Sequence, residues 1–270
     1  MLSFVNKVLI FLTKPDRFST KSEISGPIVN PSHPNRTMQP PNDSINPALL
    51  GSAIFRNDLS TVQTLLNSGT NPNTPHRANT PLMWAAGEGY NDICVALLDA
   101  GAETDTLNAA NYTALMYAAE SDRREIVELL LDRNSTIEGR NAYQETVLMT
   151  IAKHGHTDLI QRLLSLGANP HDQNHIHDTA FYLAVDNGHL YSAKVLHTAG
   201  SNVNARNLGD WTPLMMAAAR GDLPMLEFLL SQGADFTPRN KWGATALDEA
   251  KKSFRSSAAM ALLRAAGATE

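Results

Sequence analysis

The sequence predicts an all-α solenoid built from helix-turn-helix units, and three observations carry that reading. Thr80 is followed at intervals of 33 residues by Thr113, Thr146, Thr179, Thr212 and Thr245. Asn108, Asn141, Asn174, Asn207 and Asn240 keep the same interval, each five residues before one of those threonines. Gly101, Gly167, Gly200 and Gly233 form a third row 21 residues after the threonine, with Asn134 in the same slot of the third unit. Ala48 to Gly69 fits the frame one residue short and Thr245 to Gly267 fits it one residue long, as the ends of an array do. A unit so small cannot bury both faces of its own helices, so the units must stack.

The first 45 residues differ in kind from the rest. From Pro15 to Pro47 the chain carries Pro27, Pro31, Pro34, Pro40 and Pro41 among many Ser and Asn, a composition that reads as a disordered linker. Ahead of it, "MLSFVNKVLIFLTK" places Val5, Val8, Leu9 and Leu12 on one helical face. Its apolar core is far too short to span a bilayer, and Lys7 interrupts the run that a secretory signal needs. Three readings stay open for it: an undistinguished tail, a cleaved signal, and a surface-active or targeting helix. The domain division is therefore 1–45 as leader and 46–270 as repeat domain.

Within each unit the threonine is expected to be the N-cap of the first helix, its hydroxyl accepting from a free backbone N–H one turn in. Pro81 and Pro213 follow at the first helical position, where the missing N–H has no intrahelical partner to lose. Two residues after each threonine comes a buried anchor row, Leu82, Leu115, Leu148, Phe181, Leu214 and Leu247. Small residues follow, such as Ala85 and Ala86 or Ala217 and Ala218, which let neighbouring helices approach closely. Glycine at Gly89, Gly155, Gly188 and Gly221 supplies the left-handed residue that ends the helix and reverses the chain. The second helix shows an apolar face, Ile93, Val95, Leu97 and Leu98 in one unit and Ile126, Val127, Leu130 and Leu131 in the next. The fifth unit is the least regular: His197 stands where its neighbours have leucine, and Tyr191 is out of pattern. In a linear array stability is nearly a sum of neighbour terms, so cooperativity is expected to weaken there.

With those residues in place, "TPLMWAAGEGYNDICVALLDAGA", "TALMYAAESDRREIVELLLDRNS" and "TPLMMAAARGDLPMLEFLLSQGAD" resemble the ankyrin repeat. The resemblance implies an ankyrin-repeat solenoid of about seven units joined by short β-hairpin loops, covering roughly Asn46 to Thr269. One departure is systematic. Where the family has histidine after T-P-L, this chain has Met83, Met116, Met149, Tyr182, Met215 and Asp248, which suggests an apolar and more adaptable contact between units. At 8 to 10 Å per helix layer the stack would run roughly 60 to 70 Å.

Since the recurring positions are spent on structure, binding is expected to use the variable ones. In ankyrin-like stacks these are the hairpin tips and the exposed side of the first helix, which line a concave groove. They give Trp84, Tyr117, Leu183 and Met216 on the first helix, Tyr112, Glu145 and Trp211 just before the threonine, and Tyr143, Ile176 and Trp242 at the tips. All three tryptophans of the chain fall in this set, and large amphipathic side chains dominate protein interfaces. Glu88, Glu120, Asp122, Glu145, Asp178 and Asp186 gather nearby, so the expected partner is a protein with basic and apolar contact residues.

Other chemistries find less support. The net charge is −5, and with five Lys or Arg against three acids in the leader the remainder is near −7, which offers no footprint for nucleic acid. The lone Cys94, in an apolar helical stretch, excludes an intramolecular disulfide and reads as a small buried residue. His171, His175 and His177 lack dependable further ligands, so they are expected to face solvent and not to hold a metal. No phosphate-cradling loop, nucleophile elbow or H-E-x-x-H pair occurs. The expectation is a monomeric cytoplasmic scaffold that is not an enzyme, with no catalytic residue, cofactor, metal or small-molecule substrate. The alternative is a membrane-associated or exported adaptor that uses residues 1–14.

Overall fold

The computed structural model describes residues 46–269; the leader, with its apolar stretch and proline-rich linker, lies outside the described residues. Among the described residues there are fourteen helices, arranged as seven consecutive pairs. The pairs are α1 Asn46–Phe55 with α2 Leu59–Asn67, α3 Pro81–Glu88 with α4 Asn91–Asp99, and α5 Ala114–Glu120 with α6 Arg124–Asp132. The series continues with α7 Val147–His154 and α8 Thr157–Ser165, then α9 Ala180–Asp186 and α10 Leu190–Thr198. It ends with α11 Pro213–Arg220 and α12 Leu223–Ser231, and α13 Ala246–Lys251 and α14 Ser256–Ala265. None of these helices is long and apolar enough to cross a membrane.

The threonine row does what its spacing predicts. The Oγ1 of Thr80, Thr113, Thr146, Thr179, Thr212 and Thr245 each accepts from the backbone N–H three residues on, at 3.1 to 3.3 Å. In α3 the mimicry of a capping box goes further, since Thr80 N donates to the Met83 sulfur at 3.4 Å. Thr146→Ala is expected to lower stability by about 1 kcal/mol, read from urea unfolding. Helix ends use left-handed residues: Gly89, Gly155 and Gly221 close α3, α7 and α11, and Asp122, at φ 58°, takes that slot in the third unit. Asn134, at φ 60°, stands in for the second glycine row of the same unit.

The core runs without interruption through the stack. The anchor row from Leu82 to Leu247 is buried, and so are Met83, Met116, Met149, Tyr182 and Met215 in the row where the family has histidine. The second helices differ from expectation at one point. In α4 the buried residues are Ile93, Cys94, Leu97 and Leu98, while Val95 turns outward. At about 100° per residue Cys94 falls between Leu97 and Leu98 on the wheel, and Val95 lies outside the arc from Ile93 to Leu98. Burial pushes the Cys94 thiol up to about 12, so it is a packing group.

The connecting fingers are tight turns, and no strand is formed among the described residues. Fingers from the third unit on close with two backbone bonds of their own, Asn108 N to Tyr112 O at 3.1 Å and Asn111 N to Asn108 O at 3.0 Å for example, and adjacent ones share one more, Ala142 N to Ala110 O at 3.0 Å. So few bonds make no ladder. The position after the second left-handed row shows a defect. Alanine is buried there at Ala102 and Ala234, but Thr70, Ser135 and Ser201 bury a hydroxyl without a hydrogen-bond partner. Ser135→Ala and Ser201→Ala are each expected to raise stability by about 1 kcal/mol, because they remove an unsatisfied buried group at no cost in volume.

Candidate functional site

The asparagine row builds the face that carries the variable residues. In each finger the side-chain oxygen accepts two backbone N–H groups of its own turn. Asn141 Oδ1 takes Tyr143 N and Glu145 N, both at 2.9 Å, and Asn174, Asn207 and Asn240 repeat the pattern. In three of the five, Asn108, Asn141 and Asn207, the amide nitrogen reaches back to the preceding finger. Asn108 Nδ2 donates to Asn79 Oδ1 at 2.8 Å, Asn141 Nδ2 to Tyr112 Oη at 3.0 Å, and Asn207 Nδ2 to Asp178 Oδ1 at 3.1 Å. This locks the turn and stations the tip residue outside it. Tyr143, Ile176, Leu208 and Trp242 are 39, 44, 49 and 73% exposed, on adjoining fingers.

The other expected contact residues fall into two groups. Leu183 and Met216 are buried in the core, each only 8% exposed. Both positions lie one turn into the first helix. Trp84, Tyr112, Tyr117 and Trp211 are partly buried against the core. The Trp84 indole donates to the His76 carbonyl at 2.9 Å and its ring lies 4.9 Å from Phe55. Tyr112 and Tyr117 pack ring to ring at 5.1 Å, and Tyr117 Oη accepts from Asn108 Nδ2 at 3.0 Å. The structure thus brings Tyr112 and Tyr117 together, while Trp84 packs on Phe55. It leaves Tyr143, Ile176 and Trp242 as the open tips.

Beside the tips is a wall of carboxylates. Tyr112 Oη donates to Glu120 at 2.8 Å, and Glu145 accepts from Asn141 Nδ2 at 3.2 Å. Glu120 and Glu145 line a cavity of about 80 Å³ together with Met149, Thr150, Leu183, Lys153 and His154. A small-molecule site usually needs roughly 300 to 1,000 Å³, so this cavity admits the end of one side chain and little more. Burial holds the His154 imidazole below its ordinary range, against the pull of Asp122. Asp122 lies below the usual carboxylate range, chiefly through its hydrogen bond to His156.

One unit further on, Asp178 is buried, and desolvation pushes its carboxyl up to about 7 despite the bond from Asn207. Burial likewise raises Asp186 and the Tyr182 hydroxyl, and the charges of Asp178 and Asp186 add to the rise at Tyr182. The sequence places these acids correctly but gives no sign that one is enclosed. On the opposite side of the units, a shallow depression of about 470 Å³ between α8 and α10 is lined by Leu164, Val195 and Ala199, with Lys194 at its edge. His175 Nε2 is engaged with the Ala142 carbonyl at 2.7 Å. Among the described residues no three His, Cys, Asp or Glu side chains converge as a metal site would require.

The family model for ankyrin repeats (3 copies) matches residues 50–141, 134–207 and 181–269. A search of the curated proteins gave no match. Among solved structures the chain is similar to the human ASB11 ankyrin repeat domain, at 25% identity and a TM-score of 0.69. That match covers 79% of this chain and 96% of the other.

Proposed function

The chain belongs to the ankyrin-repeat family, whose repeats are in general protein–protein interaction modules, and from that membership we propose a scaffold that holds a partner protein without transforming it. The proposed contact face is the row of finger tips Tyr143, Ile176, Leu208 and Trp242, together with the carboxylate wall of Glu120 and Glu145. The observation that carries this reading is the exposure of the tips. Four large apolar side chains stand in solvent on adjoining fingers, although each is held there by hydrogen bonds that fix its turn. Contiguous exposed apolar surface on a soluble protein marks a contact site. The carboxylates beside it favour a partner with basic residues.

Partner capture by Tyr143→Ser, Ile176→Ser is the test. The double variant is expected to lose affinity by roughly ten- to a hundredfold, as removal of interface anchors does. Tyr191→Ser, at a side chain 74% exposed on α10, should bind as the wild type does. Retention of the partner by the tip variant and loss by the α10 variant would move the interface to the second helices. Trp84→Ala and Tyr117→Ala are poorer probes, because both rings are committed to packing within the chain.

A further inference from the structure

Asp178, Tyr182 and Asp186 are spaced four residues apart, so they line up along α9 and the turn before it. The same positions hold Glu145, Met149 and Lys153 in the fourth unit and Trp211, Met215 and Ala219 in the sixth. From the second unit to the seventh, only the fifth has polar residues at all three. Tyr182 stands in the row that methionine fills in four other units. A buried methionine needs no partner, whereas a buried hydroxyl does.

The three groups are short of partners. Tyr182 is 3% exposed and its Oη makes no hydrogen bond among the described residues, yet it is not sealed as the hydroxyls of Ser135 and Ser201 are. The Asp178 carboxylate accepts one hydrogen bond, from Asn207 Nδ2, and the Asp186 carboxylate accepts none. The charges of both carboxyls bear on Tyr182, and that of Asp186 bears on Asp178, so the groups face one another. Glu145, from the finger of the fourth unit, adds repulsion at Asp178. Lys153 of α7 and Arg220 of α11 pull on Asp186 through space but form no ion pair with it. The sixth unit packs with an apolar set at these positions, so the polar set answers no need of the stack. Such local departures from the pattern of a fold are where function is usually found.

The missing component is a donor with positive charge. An ammonium is a compact point charge, whereas a guanidinium presents five N–H groups in a rigid plane and can serve a phenol oxygen and a carboxylate at once. Room for one side-chain end lies alongside. Glu145 and Lys153, whose charges reach the stripe, line the cavity of about 80 Å³ together with Leu183, the neighbour of Tyr182.

Building on the scaffold reading, we infer that the stripe Asp178–Tyr182–Asp186 receives one arginine side chain of the partner protein. Its guanidinium donates to Tyr182 Oη and to the Asp178 carboxylate, and Asp186 and Glu145 add negative charge around it. The contact needs Asp178 ionised, and burial has raised that carboxyl to about 7, so affinity rises with pH through that value and falls below it.

The test uses the full chain and three short acetylated peptides of serine and leucine, identical except for a central arginine, lysine or citrulline. Citrulline keeps the shape of arginine without its charge. With ¹³C at the tyrosine Cζ, Tyr182 gives one of six signals, assigned by its loss in Tyr182→Phe. At pH 8 the arginine peptide is expected to move that signal and to bind at least about tenfold more tightly than the citrulline peptide, with lysine between them. At pH 5.5 the ratio should shrink to under about threefold. Tyr182→Phe should weaken the arginine peptide about tenfold while leaving the urea midpoint unchanged or higher, because the lost hydroxyl has no partner in the chain. An unmoved Tyr182 signal, equal affinity for arginine and citrulline at pH 8, an arginine preference undiminished at pH 5.5, or a urea midpoint lowered by Tyr182→Phe each overturns the inference. If partner capture still depends on Tyr143 and Ile176 in that case, the scaffold reading stands and only the arginine contact falls.

Discussion

Phe181→Ala is expected to cost roughly 3 to 5 kcal/mol and to divide the unfolding of the stack into two transitions. Phe181 is fully buried and is the one aromatic in an anchor row otherwise made of leucine. One of its neighbours in the fifth unit is imperfectly satisfied. The His197 ring packs 6.3 Å from Phe181 and 5.9 Å from Phe228, with Nε2 bonded to Gln232, but its Nδ1 is buried without a hydrogen-bond partner. Loss of the phenyl ring would open a cavity in the unit where the sequence is least regular and cooperativity is expected to be weakest. Trp84 lies before this point in the chain, and Trp211 and Trp242 lie beyond it. Urea unfolding followed in a Trp84-only background and in one retaining only Trp211 and Trp242 therefore reads the two parts separately. Separate midpoints are expected in Phe181→Ala, and coincident midpoints with a loss under about 1.5 kcal/mol would show that the fifth unit is not the weak joint. His197→Leu, which removes the orphan nitrogen, is expected to stabilise by about 1 to 3 kcal/mol.

Asp178→Asn is expected to stabilise the protein by up to about 4 kcal/mol at pH 8 and by nothing at pH 3.5. The side chain is 5% exposed and faces Asn207, Glu145, Asp186 and Tyr182, with one hydrogen bond to offset its burial. Its carboxyl is raised from 3.8 to about 7, so the fold retains a proton that the unfolded chain has released across that window. The contribution of the neutral carboxyl to stability is complete below the lower value and is lost as pH climbs through the upper one. Asparagine keeps an oxygen for Asn207 Nδ2 and carries no charge, which removes this dependence. Denaturant titrations at pH 3.5, 6 and 8 check it. Parallel pH profiles for the two proteins would mean that water reaches the carboxylate in the folded state.

Much of this architecture is legible in the primary structure because a 33-residue period repeats one local problem six times over, and each solution is visible as a residue type. The threonine caps, the left-handed glycines and the anchor leucines are local devices, so type and spacing specify them. The identity of the open side chains is not local. Leu183 and Met216 occupy the same helical position as Trp84 and Tyr117, yet the first two are buried and the other two are only partly covered. What such a side chain meets is set by another unit: Trp84 packs on Phe55 and Tyr117 lies against Gly87, each from the unit before. The asparagine row shows the reverse case: its regularity is plain in the sequence, but its two-sided bonding is visible only when consecutive fingers lie side by side. The enclosure of Asp178 is of the same non-local kind.

That two-sided bonding makes each unit a cassette with a plug and a socket. The amide of one finger is the plug, and the residue just before the threonine of the preceding unit is the socket: Asn79, Tyr112 and Asp178 each present an oxygen there. Trp211 does not, and the amide of Asn240 turns aside to Glu249 at 3.4 Å. Units could therefore be duplicated or exchanged after Asn79, Tyr112 or Asp178 with the splice keeping its bond, whereas Glu145 accepts from Asn141 of its own finger. A splice after Trp211 joins ends that were never matched, and a longer array made from this chain is best extended from its middle.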